Sequence, residues 1–164
     1  MAFLQAVSVM RTGQRTGPSG ITPLALGLRK ALEEEPGWIV CGEAVNGRDA
    51  VAKTRALKPD VLVLDFTMPE LNGLEVTRQV RAAKLQTEVV ILTMHESDQL
   101  ALAVLAAGAR GYVFKSDAGT MLVVAVRQLL QHRPYCTVKV SPQVRDCFLH
   151  PGRSPAQPAI PTWC

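Results

Sequence analysis

The feature that most constrains the fold is a run of four consecutive apolar residues, 61–64, which ends abruptly at Asp65. An apolar run of this length without alternation is typical of a strand that is covered on both faces, as in a parallel sheet. Pro69 and Gly73 indicate that a loop follows. Asp65 is therefore predicted at the carboxyl end of a central strand, where open α/β sheets bind their ligands. The alternative is an aspartate that only caps a turn or the next helix.

Two further apolar runs repeat this arrangement. Residues 89–92 and 112–114 are predicted as strands, and they are followed directly by Thr93 and Lys115. A strand is also predicted at residues 38–41, and helical patterns cover residues 22–32, 48–57, 74–83, 97–107 and 121–131. The alternation of strands with helical crossovers predicts an α/β fold, a doubly wound parallel sheet of five strands with helices on both faces.

The sequence leaves the first of these five strands open. Residues 2–10 have acceptable β character, whereas the Gly, Ser, Thr and Arg residues that follow indicate an irregular segment. If residues 2–10 do not form a strand, the centre of the sheet lacks its usual occupant and leaves ladder edges exposed. The segment 1–21 also has arginines and no acidic residue, so an organelle-targeting peptide is a further alternative.

Charge and cysteine content limit the classes of function. Four basic residues precede the first acidic residue, Glu33, and the remaining fourteen basic residues balance fourteen acidic ones, so the net charge of +4 belongs to the amino-terminal segment. Such a charge is poor evidence for a nucleic-acid surface. The four cysteines show no metal-ligand spacing, and no apolar run is long enough to cross a bilayer. A reduced, cytoplasmic environment is expected.

Asp65, Thr93 and Lys115 are expected to lie close together. Each ends or directly follows a separate apolar strand, and strands of a parallel sheet point the same way. Taken singly, Thr93 is an ordinary strand-end hydroxyl and Lys115 an ordinary solvated charge. Together they favour phosphoryl transfer, in which a carboxylate is the nucleophile, a hydroxyl bonds a phosphate oxygen and an ammonium group neutralises charge.

From about residue 24 to residue 130, the chain resembles the receiver domain of bacterial two-component response regulators, which has a flavodoxin-like fold. The matching residues are Asp65 with Met68-Pro69 and Gly73, Leu92-Thr93, Gly108-Ala109, and Gly111-Tyr112-Val113-Phe114-Lys115. The resemblance implies that Asp65 is the phosphoacceptor, that the Thr93 hydroxyl moves onto the phosphoryl group and that Lys115 is its charge partner. It also implies that Tyr112 swings inward as Thr93 moves, the alternative being a half-buried strand aromatic.

The resemblance further implies the partners and the cofactor. A sensor histidine kinase would be the phosphoryl donor, a homodimer is the expected phosphorylated form, and the chain is expected not to be an enzyme. Phosphorylation would be read out on a surface formed by helix 4, strand 5 and helix 5. The family binds Mg²⁺ at the phosphoacceptor, here Asp65 with the backbone carbonyl of Thr67, together with an adjacent acidic pair at the end of the first strand.

That acidic pair is missing from this sequence. Aligning the pattern back from the first helix puts Ser19-Gly20 where the pair should be, and no acidic residue precedes Glu33. Mg²⁺ requires oxygen ligands in near-octahedral geometry, so weak Mg²⁺ binding and slow or absent phosphorylation are expected. Two alternatives follow: an interaction module that never takes phosphate, and a hydrolase on a related scaffold, for which no general base or metal pocket is visible.

The carboxyl-terminal sequence departs from the family as well. Residues 133–141 resemble the linker that leads to a DNA-binding helix-turn-helix in the most similar subfamily, residues 142–149 are predicted as a short helix, and prolines mark the tail. No second helical pair or basic recognition helix follows, so DNA binding by this chain is not expected. The predicted organisation is an atypical segment (1–21), a receiver-like domain (22–132), and a linker remnant with a disordered tail (133–164). A truncated or mis-started gene product is a further expectation.

Overall fold

The computed structural model describes residues 4–9, 23–44, 46–67, 71–137 and 139–150. Its strands are β1 (Leu4–Val9), β2 (Trp38–Ala44), β3 (Val61–Asp65), β4 (Glu88–Thr93), β5 (Gly111–Phe114) and β6 (Tyr135–Cys136). Its helices are α1 (Pro23–Glu33), α2 (Gly47–Leu57), α3 (Gly73–Ala82), α4 (Asp98–Ala107), α5 (Ala118–Leu130) and α6 (Pro142–Leu149). The strands form one parallel sheet in the order β2-β1-β3-β4-β5-β6. The predicted doubly wound parallel sheet is therefore confirmed, with a two-residue sixth strand added at one edge.

The strand that the sequence left open is present. β1 lies between β2 and β3, and its last residue, Val9, is paired with Leu64 of β3. The alignment from the first helix puts the position of the acidic pair at Ser19-Gly20, ten residues beyond the end of β1, so the helix and the strand indicate different positions for the pair. In the sequence, Val9 is followed by Met10 and Arg11, so the acidic pair of the family is missing at this point too.

Both faces of the sheet are covered, which explains why the central strands are apolar without alternation. On β3, Val61 and Val63 pack into the core beneath α1 and α5, whereas Leu62 and Leu64 pack into the core beneath α2, α3 and α4. β4 is divided between the two cores in the same way. β3, β4 and β5 are buried along their whole length. Their carboxyl ends are therefore held in place at one edge of the sheet.

Side-chain caps fix where several helices begin. The Asn46 side chain accepts a hydrogen bond from the Asp49 amide at 2.8 Å, and Asn72 forms a capping box with Glu75. Ser97 caps α4 through the Leu100 amide. α5 begins three residues before the predicted start, because the 3-10 turn Lys115–Asp117 leads directly into it.

The segment predicted as a linker contributes to the same fold. β6 pairs with β5, and α6 places Val144 and Phe148 in the core that also contains α2, α3 and α4, while Cys147 is buried on the same helix. The spacing of these side chains gives α6 one apolar face, which is why it packs on the domain. The predicted disordered tail, residues 151–164, lies outside the described residues. In the described part of the chain, no helix is long and apolar enough to span a membrane.

Candidate functional site

The candidate site lies at the carboxyl edge of the sheet, where β3 and β5 end on either side of β4. Asp65, the last residue of β3, is 3% exposed. Lys115 directly follows β5, and its Nζ lies 2.5 Å from Oδ2 of Asp65. The ion pair therefore spans the end of β4, and it is nearly closed off from solvent. Two of the three residues that the sequence predicts at this edge, Asp65 and Lys115, are therefore in direct contact.

The backbone around Asp65 fixes the orientation of its carboxylate. Its Oδ1 accepts a hydrogen bond from the Thr67 amide at 3.0 Å, and the Phe66 amide donates to the Leu92 carbonyl at 2.8 Å. Burial raises the pKa of the Asp65 carboxyl above its ordinary value, and the hydrogen bond and charge of Lys115 oppose this only in part. Burial therefore outweighs the contact with Lys115 in its effect on the protonation of Asp65.

Thr93, the last residue of β4, lies at the same edge. Asp65 is paired with Leu92, so Thr93 is the next residue along the neighbouring strand, and it is 1% exposed. Its Oγ1 accepts a hydrogen bond from the His95 amide at 3.0 Å. The hydroxyl that the sequence predicts at this edge is therefore held by the loop that follows β4.

Tyr112 is fully buried in β5, so it is not the half-buried strand aromatic that the sequence offered as an alternative. Its hydroxyl donates a hydrogen bond to the His95 carbonyl at 3.2 Å, and burial raises the pKa of that hydroxyl to about 12. Because the His95 amide also donates to Thr93, one residue's main chain links the threonine hydroxyl to the tyrosine hydroxyl. A bridge made by main-chain atoms leaves no residue-type signal in the sequence.

Two aromatic rings complete the surroundings of Tyr112. Phe114 contacts it edge-on with ring centroids 5.7 Å apart, and Phe148 of α6 lies at 6.0 Å. Phe148 was not predicted to contribute to the site. The available signal was its spacing from Val144, which places both residues on one face of a short helix.

The residues described around Asp65 fit Mg²⁺ poorly. Among the described residues, no group of three or more His, Cys, Asp or Glu side chains is arranged to hold a metal ion. Thr67, whose carbonyl is a predicted ligand, is placed beside the carboxylate by its amide contact with Oδ1. The Asp65 carboxylate is itself engaged with Lys115. Within the described ranges of the chain, the donors at Asp65 are therefore its own carboxylate and the Thr67 carbonyl, fewer than near-octahedral Mg²⁺ requires.

A cavity of about 630 Å³ lies at the opposite edge of the sheet, away from Asp65. Its lining includes the first residues of β2 and β4, Trp38 and Glu88, and the residues that follow α2 and α3, Lys58 and Lys84. Glu88 is held there by ion pairs with Arg81 and Arg110. None of the predicted site residues lines this cavity.

A doubly wound parallel sheet that carries a buried aspartate, a threonine and a lysine at the carboxyl ends of three neighbouring strands defines the receiver class of signalling domain. The family model of the response regulator receiver domain matches residues 22–138. The chain belongs to this family and is a receiver domain of the two-component response regulators.

Similar proteins of known sequence and structure agree with this assignment. The response regulator UvrY of Escherichia coli O157:H7 is 34% identical over 128 residues, 78% of this chain and 59% of that protein. The response regulator GacA of Pseudomonas aeruginosa is 33% identical over 118 residues, 72% of this chain and 55% of that protein. The chain thus spans a little over half the length of these relatives.

Solved structures show the same fold. A LuxR-family two-component response regulator from Aurantimonas sp. SI85-9A1 superposes with a TM-score of 0.73 at 30% identity, covering 84% of this chain and 92% of that chain. The signal receiver domain of the putative response regulator NarL from Mycobacterium tuberculosis gives a TM-score of 0.70 at 29% identity, covering 80% and 100%. Receiver domains of this family are generally signalling domains and not enzymes, typically use Mg²⁺, interact with histidine kinases and can dimerise.

Proposed function

We propose that Asp65 is the phosphoacceptor of a two-component phosphorelay and takes its phosphoryl group from the phosphohistidine of a sensor histidine kinase. A carboxylate oxygen of Asp65 attacks phosphorus, the P–N bond breaks, and its electron pair stays on the imidazole nitrogen, which takes a proton from water. The observation that supports this most directly is the 2.5 Å contact between Asp65 and Lys115 at the carboxyl edge of the sheet. A buried ammonium group beside the reacting carboxylate is placed to neutralise the charge that the phosphoryl group adds.

The other two residues act after transfer. The Thr93 hydroxyl gives up its hydrogen bond with the His95 amide and forms one with a phosphoryl oxygen. The Lys115 ammonium group moves toward the negative charge of the phosphoryl group. At ~4 Å and an effective dielectric constant of about 20, a lysine–phosphoryl contact is worth ~4 kcal/mol per charge pair before desolvation. Because the His95 main chain also binds the Tyr112 hydroxyl, movement of Thr93 bears on the contact that holds Tyr112.

We propose that phosphorylation is slow. Mg²⁺ would neutralise phosphoryl charge if it bound, but the donor set described around Asp65 does not fit it, and Met10-Arg11 stand in the sequence where the family has its acidic pair. No step of the transfer is therefore assigned to the metal here. The same lack of carboxylates favours a second candidate function, a receiver-like interaction module that takes no phosphoryl group.

Phosphorylation with a small donor tests the proposal. With acetyl phosphate and excess Mg²⁺, intact mass spectrometry should show a slow gain of one phosphoryl group, mapped to Asp65. Asp65→Asn should remove the gain, because an amide is no nucleophile at this site. Asp60→Asn, which changes an exposed aspartate before the same strand, should leave the gain unchanged. An equal gain in Asp65→Asn would exclude Asp65 as the acceptor, and no gain in the wild type would favour the interaction module.

We propose a cytoplasmic signalling role in which the chain itself turns over no substrate and forms a homodimer when phosphorylated. The unit that performs this role is wider than residues 22–132, because β1 supplies a central strand and α6 packs on the common core. Both additions lie close to the site. The last residue of β1, Val9, pairs with Leu64, the residue before Asp65, and α6 places Phe148 against Tyr112.

A further inference from the structure

Residues 135–149, here called the C-terminal cover, extend the domain beyond β5. The Tyr135 amide donates to the Arg110 carbonyl at 2.9 Å, and the Thr137 amide donates to the Tyr112 carbonyl at 3.0 Å. β6 thereby occupies the edge of β5, which would otherwise be the last strand of the sheet. The edge of the predicted switch surface is thus filled by the chain's own backbone.

The helix of the cover rests on α4 and against Tyr112. Phe148 has no exposed surface, and its ring centroid lies 6.0 Å from that of Tyr112. At the other end of α6, the Ser141 amide donates to Oδ1 of Asp98, the first residue of α4, at 3.0 Å. This hydrogen bond lowers the pKa of the Asp98 carboxyl, so the charged form of Asp98 favours the docked helix.

Lys139 ties the cover to both loops of the candidate site. Its Nζ lies 3.9 Å from Oε1 of Glu96, in the loop after β4, and 3.3 Å from Oδ2 of Asp117, in the turn after β5. It also donates to the Ser116 hydroxyl at 3.2 Å and lies 5.5 Å from the centroid of the Phe114 ring. The loop that carries His95 and the turn that begins at Lys115 are therefore both connected to the cover.

We propose that the C-terminal cover, through Phe148, holds Tyr112 in its buried position, so that the switch surface is set by docking of α6 and not by the charge on Asp65. The role of Tyr112 as a switch residue rests on the proposed function, but its burial does not. Tyr112 is already inside without a phosphoryl group, and β5 has only the two-residue β6 beyond it. Phe148 supplies a buried aromatic contact on that side.

The consequence is a built-in regulator. A partner that binds the surface formed by α4, β5 and α5 must compete with β6 and α6 for part of it. Displacement of α6 removes the ring contact with Tyr112 and the ties through Lys139 and Ser141 at the same time. Undocking of the cover would therefore release Tyr112 outward, the opposite of the inward movement that phosphorylation of Asp65 is expected to cause in the family.

Chemical nitration of tyrosine tests this inference, because the chain has two tyrosines and mass spectrometry separates them. Tetranitromethane reacts with exposed phenolate, so Tyr112 should be protected in the wild type. In Phe148→Ala, nitration of Tyr112 should rise by at least about tenfold, equivalent to ~1.4 kcal/mol off the free energy of exposing the residue. The matched control is Leu149→Ala on the same helix, where the side chain is 46% exposed and no change is expected.

Two further variants keep the test decisive. If Phe148→Ala loses the far-ultraviolet circular dichroism of the folded protein, Lys139→Ala, which removes surface ties and no core side chain, should still raise Tyr112 nitration. Asp65→Asn should leave Tyr112 as protected as in the wild type. Protected Tyr112 in a folded Phe148→Ala, or exposed Tyr112 in Asp65→Asn, would overturn the proposal. None of these comparisons requires phosphorylation, so failure of the proposed function would not affect them.

Discussion

Replacing Lys115 with methionine should lower the free energy of unfolding by about 3–5 kcal/mol at neutral pH, the range for breaking a buried ion pair by removing one partner. Both members of the pair are buried, with side chains 10% and 4% exposed for Lys115 and Asp65. The variant leaves a charged carboxylate inside the domain with one amide donor, from Thr67. Urea unfolding followed by circular dichroism measures the change.

The penalty should depend on pH in a defined direction. Burial already raises the pKa of Asp65, and removal of Lys115 takes away the contact that most opposes this. A carboxyl group whose pKa is higher in the folded state than in the unfolded state binds its proton more tightly when folded. Its contribution to stability is therefore lost as pH rises from the unfolded pKa to the folded one. Lys115→Met should be most destabilised at neutral pH and should recover as Asp65 becomes protonated in acid.

Two controls separate this effect from a general loss of packing. Asp65→Asn combined with Lys115→Met removes both charges and should recover most of the lost stability. Lys53→Met breaks a half-exposed pair with Asp49 and a hydrogen bond to the Glu43 carbonyl, and a smaller change than that of Lys115→Met is expected because both groups stay accessible to water. A pH-independent penalty in Lys115→Met, or no recovery in the double variant, would show that the ion pair is not what stabilises this edge.

Replacing Met10 and Arg11 together with aspartate should increase Mg²⁺ affinity and the rate of Asp65 phosphorylation by about a hundredfold or more. Direct carboxylate ligands contribute more than the outer partners of a metal site, whose loss typically costs ~10–100-fold. The family has its acidic pair at the end of the first strand, and β1 ends at Val9, so positions 10 and 11, which follow Val9 in the sequence, are the ones to change.

The alternative alignment supplies the matched control. Ser19→Asp with Gly20→Asp adds two carboxylates at the place indicated by alignment from the first helix, and it should change neither Mg²⁺ affinity nor phosphorylation rate. Calorimetric titration with Mg²⁺ and the time course of intact mass measure both quantities. A gain with the second pair and none with the first would show that the metal-binding positions are residues 19 and 20 and not the residues that follow β1. Rapid phosphorylation of the unaltered protein would show that the acidic pair is not needed.

The central part of the fold could be predicted because burial leaves a strong signal in the sequence. β3, β4 and β5 are covered on both faces, so each appears as an uninterrupted apolar run that ends at a polar residue. The same ends define the candidate site, which is why Asp65, Thr93 and Lys115 could be named together. β1 was left open because the Gly, Ser, Thr and Arg residues that follow it indicate an irregular segment before the first helix.

The carboxyl-terminal elements were harder to predict. A strand of two residues has no periodicity of its own, and β6 exists because the edge of β5 accepts its amide groups. The contact between Phe148 and Tyr112 joins residues far apart in sequence, so no local pattern indicates it. The His95 bridge between Thr93 and Tyr112 is made by main-chain atoms, and it depends on the path of the loop and not on the residue type.

The proposal that Asp65, Thr93 and Lys115 bind one phosphoryl group together is tested most directly by a structure of the protein with excess Mg²⁺ and beryllium trifluoride. The beryllium should bond to a carboxylate oxygen of Asp65, with Oγ1 of Thr93 and Nζ of Lys115 both within hydrogen-bond distance of its fluorides. Thr93 should have left the His95 amide, and Tyr112 should remain buried against Phe148. An adduct at any other residue, or one on Asp65 that neither Thr93 nor Lys115 contacts, would contradict the proposed phosphoacceptor site.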